Sequence, residues 1–515
     1  MADEGRKRKM QRKKGANLMK NLFKKIGALL VAAVMVLSMC TAVFAEDSAT
    51  ITLNDFSDAD SVKYMQIIEP DSMQPTGWKF SNDVAKGAFT AVTGKEEQDT
   101  LWMLILKANP KARNNTELKI PAALKEITNA QIDKALSTIK TNGGNLWKTV
   151  TDKNSMTVTS AGVYAFDAEK ANYTYKVATA YVGFEAYETT ETTPALKDAS
   201  VAAKRSQLTI DKISDDDDNA VAIGDTVNYT ITTFVPYIDA NTASTGRTFK
   251  ITDEIDGAAY VTNENGEVAG TVILGEGDNA KPVSGAHIIP SEDGKTFTIT
   301  LDSLVTDVAN PKAGEKVTVK YQAKITALTA SNTAKGHKSG QEYDGSSVGL
   351  YTGSITLTKV DANNEEKGLA GAEFKVYKVG ENNALGEALK FDYNGGVYTY
   401  NPTSTRQDAA TVVTGTNGEV KVEGLDKGTY HFTETKAPNG YSINEAGKDI
   451  ALGTNIEKAT ANFEAASGLK LKDSKLSSLP STGGMGTYLF TIIGVVVMAG
   501  AAGAFFISRR KGSEE

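Results

Sequence analysis

The sequence predicts a mostly β protein, built from tandem β-sandwich domains behind an N-terminal domain that mixes strands with helix. Two observations carry this. From about residue 206 onward, short runs of period-two apolar residues follow turn dipeptides: Gly224-Asp225 leads into Val227, Tyr229 and Ile231, Asp293-Gly294 into Phe297, Ile299 and Leu301, and Asn417-Gly418 into Val420 and Val422. Before that point the pattern changes. Thr128 is a good N-cap, Ile132, Ala135, Leu136 and Ile139 share one helical face, and Asn142-Gly143-Gly144 ends the segment.

Taken in chain order, the first element is basic up to Lys25, apolar from Ile26 to Met39, and closes on Val43-Phe44-Ala45. Small residues at the two positions a signal peptidase inspects make 1–45 a secretory signal, cut after Ala45. Its basic lead is longer than such signals need, so Met10 or Met19 is an alternative start. Cys40 follows the bulky Met39, where lipidation wants a small residue, so it is not read as a lipid site. The N-terminal domain spans 46–203, the first sandwich 206–350 and the second 351–476, with a Gly/Ser-containing joint near Asp344 to Gly353.

The other end, 479–515, reads Leu479-Pro480-Ser481-Thr482-Gly483, an apolar run over 488–507 long enough to span a bilayer, and Ser508-Arg509-Arg510-Lys511. Alone, the pentapeptide would be a surface turn and the apolar run an ordinary anchor. Their order resembles the cell-wall sorting signal of sortase substrates. That resemblance implies cleavage between Thr482 and Gly483, with the Thr482 acyl group passed to an amine, and an extracellular product fixed to the peptidoglycan of a Gram-positive cell.

Removing 13 basic and four acidic residues with the two ends leaves 43 against 59, a mature charge of about −16, which argues against nucleic acid as a partner. The only cysteine, Cys40, leaves with the signal, so resistance outside the cell must come from something other than disulfides. His287, His337 and His431 are scattered without ligand spacing, and no phosphate-cradling loop or nucleophile elbow is present. No cofactor, no metal and no enzyme site for an external substrate is expected. The run Asp215 to Asp218 is a solvated hairpin loop or a calcium ligand set; it lacks EF-hand spacing.

Five apolar stripes end in charge. Leu208, Ile210 and Lys212 share a face because strand side chains alternate, as do Ile355, Leu357 and Lys359. Phe249 and Ile251 lead to Asp253, Tyr430 and Phe432 to Glu434, and Leu469 and Leu471 to Asp473. Lysine is seldom buried unless paired. Burial lowers a lysine pKa and raises that of an acid, so a buried pair can rest as neutral amine and protonated acid. A neutral amine can attack a side-chain carbonyl that the acid polarises, forming an amide cross-link.

The segment from Tyr430 to Tyr441, with Glu434-Thr435 and Ala437-Pro438-Asn439-Gly440-Tyr441, resembles the E-box of Gram-positive pilins. Residues 351–476 resemble the collagen-adhesin B-type sandwich of SpaA-type major pilins. Residues 206–350, through Gly224-Asp225-Thr226-Val227 and Phe249-Lys250-Ile251-Thr252-Asp253, resemble the fimbrial isopeptide-forming domain. The resemblance implies immunoglobulin-like or prealbumin-like sandwiches. It implies Lys212 as amine, Asp253 as acid and Asn332 as partner in the first, and Lys359, Glu434 and Asp473 in the second, where Asp473 replaces the commoner Asn. Asn332 shares parity with Leu328 and Ala330, whereas the strand before them runs in the opposite phase. It also implies a sortase acceptor lysine near the end of the N-terminal domain, where Lys204 stands without the usual Tyr-Pro context and Lys197 is its rival. The implied function is a major pilin whose partners are sortase, other copies of itself, ancillary pilins and peptidoglycan. The alternative is a monomeric wall-anchored adhesin that uses the sandwiches as a stalk for a host or environmental polymer ligand.

Overall fold

A computed structural model describes residues 48–108, 110–114, 118–183 and 195–476, together with Ile493, Val495, Val497, Met498, Ala501 and Ala502. The secretory signal and the pentapeptide Leu479 to Gly483 lie outside the described residues. The expectation of a transmembrane segment at 488–507 is corrected. Among the described residues no helix is long and apolar enough to cross a membrane.

The described chain divides into two compact units. The first takes in the N-terminal region with most of 206–349; the second runs from Leu350 and adds Asp218–Asp225 and Ala327–Thr329. The expected joint is strand on both sides of Thr352, with Gln341–Tyr351 before it and Gly353–Asp361 after it.

In the first unit, the N-terminal part pairs Trp78–Phe80, Ser61–Pro70, Gly162–Glu169 and Ala178–Val182 in that order, and a separate three-stranded sheet joins Ser155–Val158, Ala49–Asn54 and Ala199–Ala202. Among the described residues three α-helices accompany them. Asn129–Asn142 starts on a capping box, in which Thr128 accepts from the Gln131 N–H and Gln131 reaches back, and it buries Ile132, Ala135, Leu136 and Ile139. Asp83–Thr93 is capped by the Asn82 side chain, while Glu97–Ala108 is buried continuously from Thr100 to Leu106. Strand Lys204–Gln207 then pairs with Tyr173–Lys176 and leads into a sandwich. One of its sheets runs Ile210–Ser214, Thr226–Phe234, Lys316–Ile325, Gly270–Leu274, Lys281–Pro282; the other runs Ile289–Pro290, Thr296–Thr300, Phe249–Asp256, Thr329–Lys338, Gln341–Tyr351. The odd positions Val317 to Ile325 are buried on one strand and the even positions Ala330, Asn332 and Ala334 on the next. The opposite phases are reconciled at 326–328, where the chain turns between strands.

The second unit sets a sheet of Asn364–Gly368, Gly353–Asp361, Glu419–Leu425, Val397–Tyr400 and Phe391–Asn394 beside one of Leu385–Ala388, Glu373–Val379, Gly428–Lys436 and Lys448–Leu452. Its last strand, Leu469–Asp473, pairs in parallel with the first, placing Leu471 opposite Lys359 and Asp473 opposite Asp361. Phe374, Phe391, Phe432, Ile355 and Leu357 fill the core.

Candidate functional site: two buried lysines and their acids

In the first unit, alternation along Ile210–Ser214 turns Ile210 and Lys212 inward, leaving Lys212 only 3 % exposed. Asp253 and Asn332 come from neighbouring strands of the facing sheet, where Asp253 pairs with Ala334 and Ile255 with Asn332. The three side chains meet between the sheets. The Lys212 amine donates to Asn332 Oδ1 at 2.6 Å and to Asp253 Oδ2. Asp253 Oδ1 accepts from the hydroxyls of Tyr321 at 2.8 Å and Tyr260 at 2.9 Å. Burial brings the Lys212 amine down to about 8 against the pull of Asp253, and burial raises the Asp253 carboxyl. Both shifts move the pair toward neutral amine and protonated acid.

In the second unit, Lys359 is fully buried and Asp473 is 1 % exposed, held side by side because their strands are neighbours. Glu434 arrives from the other sheet. Its Oε2 accepts the Lys359 amine at 2.9 Å and the Asn444 N–H at 2.7 Å. The amine also contacts Asp473 Oδ1 and lies 5.6 Å from the centre of the Phe374 ring. Asp473 is raised to about 6, chiefly by burial and further by Glu434, against the lowering effect of Lys359. Gly418 has a structural reason to be glycine: at φ +79°, an added Cβ would sit 2.6 Å from the Lys359 carbonyl, and the Lys359 N–H donates to the Gly418 carbonyl at 2.8 Å.

The sequence singled out these six residues but missed Tyr321, Tyr260 and Asn444. Tyr321 sits in the stripe Val317, Val319, Tyr321, Ala323, where a hydroxyl among aliphatic residues was the available signal. Lys204 is half-buried opposite Lys176, which is paired with Asp133, and burial followed by that second cation lowers Lys204 to about 8. Lys197 is exposed. The histidines stay apart, His287 against Glu267, His337 against Thr252 and His431 against Asp449. Among the described residues no group of three His, Cys, Asp or Glu could hold a metal. Of the aspartate run, Asp215 accepts the Asn228 N–H at 2.8 Å, and Asp218 pairs with Lys427 at 2.9 Å.

Comparison with known proteins finds the SpaA prealbumin-like fold domain over residues 353–465 and the LPXTG cell wall anchor motif over 472–514, so the chain is a cell-wall-anchored surface protein. Fimbrial subunit type 2 of Actinomyces naeslundii is 23% identical over 356 residues, covering 61% of this chain and 62% of its own length. The trypsin-resistant surface T6 protein of Streptococcus pyogenes is 28% identical over 205 residues, covering 32% and 38%. The chain thus spans less than two thirds of either curated relative. Among solved structures, the T6 backbone pilin of Streptococcus pyogenes covers 80% of this chain and 81% of its own at 16% identity and TM-score 0.46. The full-length major pilin SpaD of Corynebacterium diphtheriae covers 85% and 99% at the same identity and TM-score.

Proposed function

We propose that this chain is a major pilin: a structural subunit that sortase joins into a surface pilus and that cross-links itself internally through two isopeptide bonds. The observation that carries the reading is the pair of lysines, each shut inside a sandwich with an acid and a side-chain carbonyl, in a chain that ends in a wall-anchor motif. No external substrate is involved. In the first sandwich the neutral Lys212 amine attacks the Asn332 carbonyl carbon while Asp253 takes up the proton the amine releases; an amide forms and ammonia leaves. In the second, Lys359 attacks Asp473 beside Glu434, and water leaves. The proposed domains are 46–203, 206–350 and 351–476, followed by the sorting signal at 479–515.

Polymerisation uses a different amine. Sortase cleaves after Thr482 and transfers its acyl group to Lys204 of the next copy, a role supported by that amine's half-burial and its lowered pKa of about 8. Immunoblots of wall extracts with and without sortase test the function. A sortase-dependent ladder of high-mass species that survives boiling in detergent is expected. A single wall-linked band in place of the ladder identifies a monomeric adhesin and refutes the pilin reading.

A further inference from the structure

In the second unit, Glu434 accepts the Lys359 amine at 2.9 Å, and, beyond the effect of burial, its charge raises the Asp473 carboxyl. The first unit is built differently. Asp253 bonds Lys212, Tyr321 and Tyr260, and none of its hydrogen bonds reaches Asn332. Yet the reaction proposed there must move one proton from the attacking nitrogen to the departing one. The Tyr321 hydroxyl fills the gap: it receives hydrogen bonds from the Lys212 amine and, at 2.9 Å, from Asn332 Nδ2, and it donates to Asp253 Oδ1 at 2.8 Å.

We propose that Tyr321 is a catalytic residue of the first sandwich, relaying the proton from Asp253 to the leaving nitrogen of Asn332; this rests on the reading that Lys212 and Asn332 form an amide. The balance closes without another reagent. Lys212 Nζ bonds to Asn332 Cγ and gives one proton to Asp253 Oδ2. Once Nζ has added and Cγ is tetrahedral, Nδ2 becomes an acceptor and the Tyr321 hydroxyl turns from Oδ1 to Nδ2; the proton on Asp253 Oδ1 then passes to the Tyr321 oxygen as the hydroxyl proton passes to Nδ2. The Cγ–Nδ2 bond breaks, and Nδ2, with its own two hydrogens and the one received, departs as ammonia. Acid and phenol both end as they began. Burial raises the Tyr321 hydroxyl well above its ordinary value, which suits a group that exchanges protons in one step without resting as phenolate.

The ring is held for this task. It stacks on Tyr229 with centroids 5.6 Å apart and meets Phe297 and Tyr260 edge-on at 5.0 and 5.9 Å. Tyr260 donates to the same acid oxygen, and its hydrogen bonds reach neither Lys212 nor Asn332. Tyr321→Phe removes one oxygen and keeps these packing contacts.

The test follows newly synthesised full-length chains by pulse-labelling and chase, with mass analysis of the trypsin-resistant fraction of wild type and Tyr321→Phe. General acid–base catalysis contributes about 10²–10⁴-fold, so loss of ammonia in Tyr321→Phe should be slower by at least about 100-fold. Loss of water from the second unit of the same molecules should keep its wild-type rate, which controls for folding and handling. A Tyr321→Phe chain that loses ammonia as fast as wild type overturns the relay alone. A Tyr321→Phe chain whose first unit never becomes resistant also overturns it, because the hydroxyl is then needed for folding. A wild-type chain that never loses ammonia removes the bond itself, a separate failure.

Discussion

Asn332→Ala isolates what the first cross-link contributes. The substitution deletes the carbonyl that Lys212 would attack and leaves Lys212 and Asp253 as a buried pair with no covalent tie. Lys212 and Asn332 lie 120 positions apart, and closing a loop of that length restricts the unfolded chain by about 5 kcal/mol in the chain-entropy treatment of cross-links. The remaining pair adds little in either protonation state, since desolvation offsets the attraction of its charged form. At about 2 °C per kcal/mol for a large unit, the first unit should melt about 10 °C lower. Scanning calorimetry of wild type and Asn332→Ala, each with its mass determined, makes the comparison, and the second unit's transition serves as a reference within the same scan. If wild type is lighter by one ammonia and Asn332→Ala still melts within about 2 °C of it, the stabilisation argument fails.

Other consequences follow from the same geometry. Glu434→Ala should leave the second unit one water heavier and readily cut by trypsin; Lys359→Ala should match it, and the double change should add little because both remove one bond. Resistance in Glu434→Ala equal to wild type refutes the acid's role. In Asn332→Ala the free Lys212 amine titrates at about 8 in the folded state against an ordinary 10.5. The folded chain therefore binds fewer protons than the unfolded chain across that window, and the first unit's stability should rise with pH from about 8 to about 10.5. The raised Asp253 carboxyl contributes with the opposite sign, stability falling as pH climbs from the ordinary carboxylate value to the folded one. Melting temperatures across both windows check the two signs. Finally, Lys204→Ala should abolish the sortase-dependent ladder while Lys197→Ala preserves it; the reverse result reassigns the acceptor.

What the sequence made legible was local. The helix at Asn129–Asn142 was readable because its cap and apolar face lie within one segment. Strand alternation sent five charged residues inward because period two needs no partner to specify a face. Helix Glu97–Ala108 was not readable, since Leu101 to Leu106 are all buried and leave no period. Asn332 looked out of phase only because the turn at 326–328 separates two strands of opposite parity. Tyr321 was hidden for a chemical reason: among Val317, Val319 and Ala323 a tyrosine reads as one more large core residue, and its hydrogen bonds come from chain segments about 11 to 109 positions away. The assignment of Asp218–Asp225 to the second unit likewise rests on distant partners, Ala220 bridging to Tyr351 and the Ala459 N–H donating to Asp218.

Covalent structure separates cross-linked lysines from merely buried ones, and an intact-mass measurement reads it directly. Residues 46–482, produced and purified in the folded state, should be lighter than the sequence mass by one ammonia and one water. Fragmentation should recover branched peptides joining Lys212 to Asn332 and Lys359 to Asp473. Loss of ammonia alone would keep the first bond and remove the second. An unmodified mass would contradict both cross-links and leave the buried lysines as ion pairs only.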